Sequence, residues 1–200
     1  MIGVITIEAA ADVVRGGGVV VVPTDTVYGL GALVTNPTAV ANIFVAKRRP
    51  RDVALPVMVA SEAQLRELGV EISLEARALM DAFWPGALTI VMPVSPALAA
   101  LTGATDSVGF RLPAQPALRA LLEATGPLAV TSANRHGEPP CTTAEEARVL
   151  FDDGVAGVVD GGTCDGTVST VVRVGESWEI LRAGAVDASE ISAVLGPPKN

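Results

Sequence analysis

The sequence predicts an α/β fold: a mixed parallel and antiparallel sheet flanked by helices. Three observations carry that expectation. Seven short apolar runs rich in β-branched residues recur along the chain. Helical patterns with their own start signals lie between them, and strands interleaved with helices imply a helix-covered sheet. The last two runs, 169–174 and 178–182, are too close for a crossover, so part of the sheet must be antiparallel.

Taken in order, "RGGG" (15–18) reads as a helix C-cap rather than a phosphate cradle, and "GVVVVP" (18–23) follows as a strand. Its lack of strict alternation, shared by "LTIVMPV" (88–94), marks strands buried on both faces. Asn36-Pro37 supplies an N-cap and a first-turn proline. Val40, Ile43, Phe44 and Lys47 then share one helical face. Ser61 with Gln64, and Thr143 with Glu146, read as capping boxes opening two further helices. The other strands are "VGFRLP" (108–113), "LAVTS" (128–132), "VAGVVD" (155–160), "STVVRV" (169–174) and "WEILR" (178–182). We expect one domain over residues 1–195 and a short frayed tail at 196–200.

Half of the 200 residues are hydrophobic and 18% are charged, which excludes a disordered chain. No apolar run approaches the roughly 18 residues of a spanning helix. The start, "MIGVITIEAAADVV", lacks a basic region and carries Glu8 and Asp12, so it does not read as a signal peptide. Cys141 and Cys164 form no CxxC pair and His136 is the single histidine, which argues for ordinary thiols in a cytoplasmic protein and against zinc. The net charge of −8 disfavours broad binding to nucleic acid, so any polyanion must be met in a local site.

Such a site has candidates. In "AKRRPRD" (46–52) four cations occupy five positions at the end of the helix begun by Pro37. Arg48 and Arg51 fit a solvated helix cap. Lys47 lies on the apolar face and needs an anionic partner there, and Lys47 and Arg49 at i and i+2 can grip different oxygens of one polyphosphate. "PTDTVYGLG" (23–31) packs Thr24, Asp25, Thr26 and Tyr28 at a strand end, where α/β sheets bind ligands, with Gly29 and Gly31 relaxing the backbone. A plain turn would not require a tyrosine and two threonines. In "TSANRHG" (131–137), Ser132 and Asn134 either cap the next element or offer a hydroxyl and an amide to a ligand. Arg111, inside an apolar strand, requires a carboxylate from the protein or from a substrate. Arg182 ends the last strand. There is no GxxxxGK[ST] loop and no GxSxG elbow.

Together, "PTDTVYGLG", Lys47-x-Arg49, "FWPGALTIV" (83–91), "VGFRLP", "TSAN", "STVV" and "LRAG" resemble the TsaC/YrdC-type threonylcarbamoyl-AMP synthases, in family order over roughly residues 12–187. The resemblance is to the short, single-domain form. It implies a concave, positively charged cavity over a twisted YrdC-like sheet, in which L-threonine, bicarbonate or CO2, and ATP with Mg2+ give threonylcarbamoyl-AMP and pyrophosphate. That product serves t6A37 formation in tRNA, with transient contact to tRNA and the threonylcarbamoyl-transfer proteins. It further implies that Lys47, Arg49, Ser132 and Asn134 form a catalytic tetrad on the ATP phosphates, joined by Ser169 and Arg182. Thr24, Thr26, Tyr28 and Arg111 would bind threonine, and Asp25 would either place Mg2+ or hold the threonine loop.

Three departures are expected at the pocket rim: Gln115 where relatives carry histidine, His136 where they carry serine, and Ala54-Leu55 for Pro-Leu. They leave open a YciO-like paralogue acting on modified tRNA, or a carbamoyl-adenylate enzyme with another acceptor.

Overall fold

The computed structural model describes residues 1–48, 50, 53–152 and 154–198. In chain order its elements are α1 (Ile7–Arg15), β1 (Val20–Val22), β2 (Gly29–Leu33), α2 (Pro37–Lys47), β3 (Val57–Met58), α3 (Glu62–Glu67), α4 (Leu74–Phe83) and β4 (Leu88–Pro93). They continue with α5 (Pro96–Thr102), β5 (Ser107–Arg111), α6 (Pro116–Thr125), β6 (Leu128–Ser132), α7 (Ala144–Leu150), β7 (Thr170–Arg173), β8 (Glu179–Arg182) and α8 (Ala188–Leu195). The strands form one mixed sheet in the order β1-β2-β6-β3-β5-β4-β7-β8. Only the β3–β5 and β4–β7 pairs are parallel, and β7–β8 is antiparallel as the short connection requires.

Side chains alternate across a strand, and the alternation divides the sheet into two unlike faces. On one face Leu30, Ala129, Val57, Phe110, Ile90 and Val172 join a large core with the buried sides of α2, α4, α5, α7 and α8. On the other face α1 and α6 cover only one end, where Ala10, Val14, Leu118 and Leu122 pack on Val20, Val22, Leu128 and Val130. The rest of that face, along β5, β4 and β7, has no helix over it among the described residues and floors a cavity. The strand pattern itself thus opens the site.

Most start and stop signals are realised. Asn36 caps α2 through Ala39 N, Thr143 and Glu146 form the capping box of α7, and Gly16 and Gly17 end α1. The box at Ser61 does not form. Gln64 Oε1 accepts from Ala60 N instead, at 2.8 Å, while Nε2 donates to Leu122 O and ties α3 to α6. Residues 155–160 are not a sheet strand either. Pinched between residues 3–5 and β1, they pair only through bridges from Val158 to Val4 and Val21. Among the described residues, no helix is long and apolar enough to cross a membrane.

Candidate active site

The cavity holds about 400 Å³. Thr24, Thr26, Tyr28, Arg111, Ser132, Ser169 and Arg182 all line it, so residues spread over more than 150 positions converge on one space. Met58, Val91 and Val130 form an apolar floor between them.

Lys47 and Asn134 stand behind Ser132. The apolar stripe of α2 carries Lys47 into the protein, where it is 1% exposed. Its ammonium donates to Ser132 O at 2.5 Å, Asn134 O at 2.9 Å and Asn134 Oδ1 at 2.7 Å. Ser132 Oγ donates to the same Oδ1, and Asn134 Nδ2 donates to Glu138 O. His136 N closes the arrangement on Lys47 O. Arg135 bonds the carbonyls of Ala46 and Leu150 and lies over the Phe151 ring, clamping the ends of α2 and α7 to this turn. Where an anion was expected, the neutral oxygens of the Ser132–Asn134 turn receive this ammonium. Arg49 lies outside the described residues, as does Arg51.

The β1–β2 connection is ordered from within. Thr24 Oγ1 accepts the N–H groups of Thr26 and Val27, donates to Val27 O and sits 2.8 Å from Thr26 Oγ1. Arg111, 3% exposed, donates from Nη1 to Thr26 Oγ1 and from Nε to Gly86 O. Its Nη2 lies 2.7 Å from Asp25 Oδ1. Neither of those two atoms has a directional hydrogen bond, so the contact is an ion pair. The carboxylate that Arg111 needed is internal. A guanidinium carries five N–H groups, so these three contacts do not exhaust its donors.

Gly29 and Gly31 do not relax a loop. Both lie in β2, and a Cβ on Gly29 would sit 2.7 Å from Val130 Cγ1, so close packing against β6 requires the glycine. Tyr28 is fully buried. Its hydroxyl donates to Gly162 O at 2.7 Å and accepts from Gly161 N at 3.1 Å, and burial pushes its pKa up. Two further bonds, Cys164 Sγ to Thr24 O and Gly166 N to Thr26 O, strap residues 161–166 across the same connection.

At the opposite wall Arg182 donates from Nε and Nη2 to Ser169 O, and from Nη2 to Ser169 Oγ at 2.9 Å. Although Arg182 as a residue is exposed, partial desolvation of its guanidinium, and then the positive charge of Arg111, hold it below the usual arginine range. Arg111, Arg173 and Arg182 all line this one space, with Asp25 paired to the first and Glu179 to the second.

The expected rim residues are mostly elsewhere. Gln115 caps α6 through Ala117 N and His136 bonds Lys47 O, so neither lines the cavity, whereas Ala54 and Leu55 do. Thr89 was not singled out from the sequence; it lines the cavity and bonds Ser169. Its only signal there was membership of "FWPGALTIV".

Residues 12–184 match the Sua5/YciO/YrdC family, described as telomere recombination. The chain belongs to this family. It is similar to the threonylcarbamoyl-AMP synthase of Bacillus subtilis (strain 168), 42% identical over 96% of this chain and 57% of that one. The structure of Pyrococcus abyssi Sua5 complexed with L-threonine superposes with a TM-score of 0.90, at 40% identity, covering 95% of this chain and 57% of that one. Escherichia coli YciO gives 0.83 at 26% identity, covering 92% of both chains. The mixed sheet flanked by helices is thus the family's. The chain spans little more than half the length of the Bacillus and Pyrococcus proteins.

Proposed function

We propose that this chain is an L-threonylcarbamoyladenylate synthase, making threonylcarbamoyl-AMP and pyrophosphate from L-threonine, bicarbonate or CO2, and ATP. It would thereby serve t6A37 formation in tRNA, handing its product to threonylcarbamoyl-transfer proteins. The observation that carries this reading is the convergence of Arg111 and Arg182 on one cavity lined by the hydroxyls of Thr24, Thr26, Ser132 and Ser169. The named relatives lend it support.

The chemistry suits such a site. Threonine carbamate attacks the α-phosphorus of ATP through a carbamate oxygen. The bond from that phosphorus to the β-bridging oxygen breaks, and pyrophosphate leaves with the electron pair. Two anions must meet, so fixed cations lower the barrier, and no side-chain nucleophile is needed. This is nucleotidyl transfer.

In this reading Arg111, with Thr24, Thr26 and the buried face of Tyr28, receives threonine. Ser169 and Arg182 meet the phosphates. Ser132 touches the nucleotide, while Lys47 and Asn134 hold its turn in place; Arg49 is proposed to join the phosphates. Mg2+ enters with the triphosphate. Asp25 is engaged by Arg111, and no group of three or more His, Cys, Asp or Glu among the described residues is gathered to hold an ion alone. Identity of 40% to Sua5 against 26% to YciO does not favour the paralogue.

The test is incubation with ATP, Mg2+ and bicarbonate, with and without L-threonine, read by mass spectrometry. Threonine-dependent pyrophosphate and threonylcarbamoyl-AMP are expected. ATP binding with no threonine product would overturn the reading in favour of another acceptor.

A further inference from the structure

We propose that Thr89 is a positioning residue for Arg182, acting through Ser169. The inference rests on the reading above, in which Arg182 meets the nucleotide phosphates.

Four neighbouring strands, β5, β4, β7 and β8, carry the connection in a line. Thr89, on β4, is 4% exposed and points to the cavity face. Its methyl occupies space that only a glycine on β5 leaves open: a Cβ at Gly109 would lie 2.8 Å from Thr89 Cγ2. With the methyl seated toward β5, the hydroxyl is turned toward β7 and lies 2.9 Å from Ser169 Oγ. A β-branched side chain has few rotamers, so the two contacts fix it.

Ser169 then holds Arg182. Its carbonyl receives Nη2 at 2.8 Å and Nε at 3.2 Å, and its hydroxyl receives Nη2 at 2.9 Å. Arg182 needs this grip. It sits solvent-accessible on the edge strand β8, it faces the like charge of Arg111, and no carboxylate holds it among the described residues. A free guanidinium would swing outward to water, away from Arg111. Thr89 fixes the serine hydroxyl, the serine fixes the guanidinium, and the phosphate receptor is assembled before any ligand arrives.

The experiment compares wild type, Thr89→Val, Thr89→Ser, Arg182→Ala and the double variant Thr89→Val/Arg182→Ala in the full chain. Calorimetry gives the Kd for a non-hydrolysable ATP analogue and for L-threonine, and thermal unfolding checks the fold. Valine keeps the shape and removes the hydroxyl, so analogue binding should weaken about tenfold, the range of a lost buried hydrogen bond. Threonine binding should hold, serine should restore most of the analogue affinity, and the valine change should add nothing once Arg182 is gone. Wild-type affinity in Thr89→Val, or full additivity with Arg182→Ala, would overturn the inference. A second readout separates the two ideas. The Arg182 Nε–H NMR signal should exchange slowly in wild type and faster in Thr89→Val without nucleotide. If wild type bound no analogue, the functional reading would fall while this signal still judged the positioning role. Unchanged exchange would sink it.

Discussion

Lys47 and Asn134 are joined twice: one buried ammonium donates to both the main-chain carbonyl and the side-chain amide oxygen of the same residue, at 2.9 and 2.7 Å. The lysine thereby anchors the turn that presents Ser132. Lys47→Met keeps the apolar stem and removes three hydrogen bonds, although Asn134 Oδ1 keeps Ser132 Oγ and Ser132 O keeps Asn134 N. We expect a loss of about 2–4 kcal/mol in urea unfolding, together with at least a hundredfold loss of activity. Arginine should not rescue it, because a planar fork cannot replace a point donor to three converging oxygens. A variant as stable as wild type would refute the anchoring role.

The Tyr28 hydroxyl links the β1–β2 connection to residues 161 and 162. Tyr28→Phe preserves the buried ring and removes both hydrogen bonds. Stability should fall by about 1–2 kcal/mol. Hydrogen exchange should rise at residues 161–166 and stay unchanged in β4 and β5, and KM for threonine should rise more than kcat falls. Uniform loosening of the whole sheet would contradict the strap.

How much of this was legible depends on which force fixed each feature. Helix starts with a local code, such as Asn36 and Thr143, could be read directly, because the cap and the N–H that donates to it lie within four residues. At Ser61 the same code failed because Gln64 Oε1 accepts from Ala60 N instead, while its Nε2 reaches the distant Leu122 O. The glycine-containing β2 and the two-residue β3 escaped notice because pairing, not propensity, makes them strands. Buried charges are legible where chemistry conflicts with surroundings: Lys47 on an apolar stripe and Arg111 within an apolar strand. Thr89 has no such conflict, since a threonine in a strand is ordinary, and its partner lies 80 residues away. The polarity of Asp25 is visible in the sequence, but its pairing with Arg111 is tertiary information.

Gly184, the glycine of "LRAG", is required by space rather than by backbone angle. A Cβ there would meet Val168 O at 2.3 Å and Thr170 N at 2.5 Å, and backbone atoms cannot step aside. Gly184→Ala should displace residues 168–170, and Ser169 with them. The expected cost is about 3 kcal/mol, or a Tm lower by roughly 6–12 °C in a domain of this size, with loss of activity. Gly3→Ala, with nothing within 4 Å of the new Cβ, is the control and should be neutral. Equal stability of the two variants would show that the contact is relieved at no cost.

Burial, reinforced by Glu146 and partly opposed by Lys47, pushes the Cys141 thiol from an ordinary 9.0 up to about 11. The thiolate is the reactive form, so at pH 8 the folded protein should be labelled by a disulfide reagent about a hundredfold more slowly at Cys141 than the unfolded chain. Burial also raises the pKa of Cys164, which should be slowed in the same direction. The sign of the stability effect follows from proton counting. Between about pH 9 and 11 the unfolded chain has released the Cys141 proton and the folded one has not, so stability declines as pH rises through that window. Below pH 9 both states hold the proton and the thiol contributes no slope. Cys141→Ala should therefore flatten the decline above pH 9 and leave the neutral range alone. Labelling of folded protein at pH 8 at the unfolded rate would mean that the thiol is neither buried nor shifted.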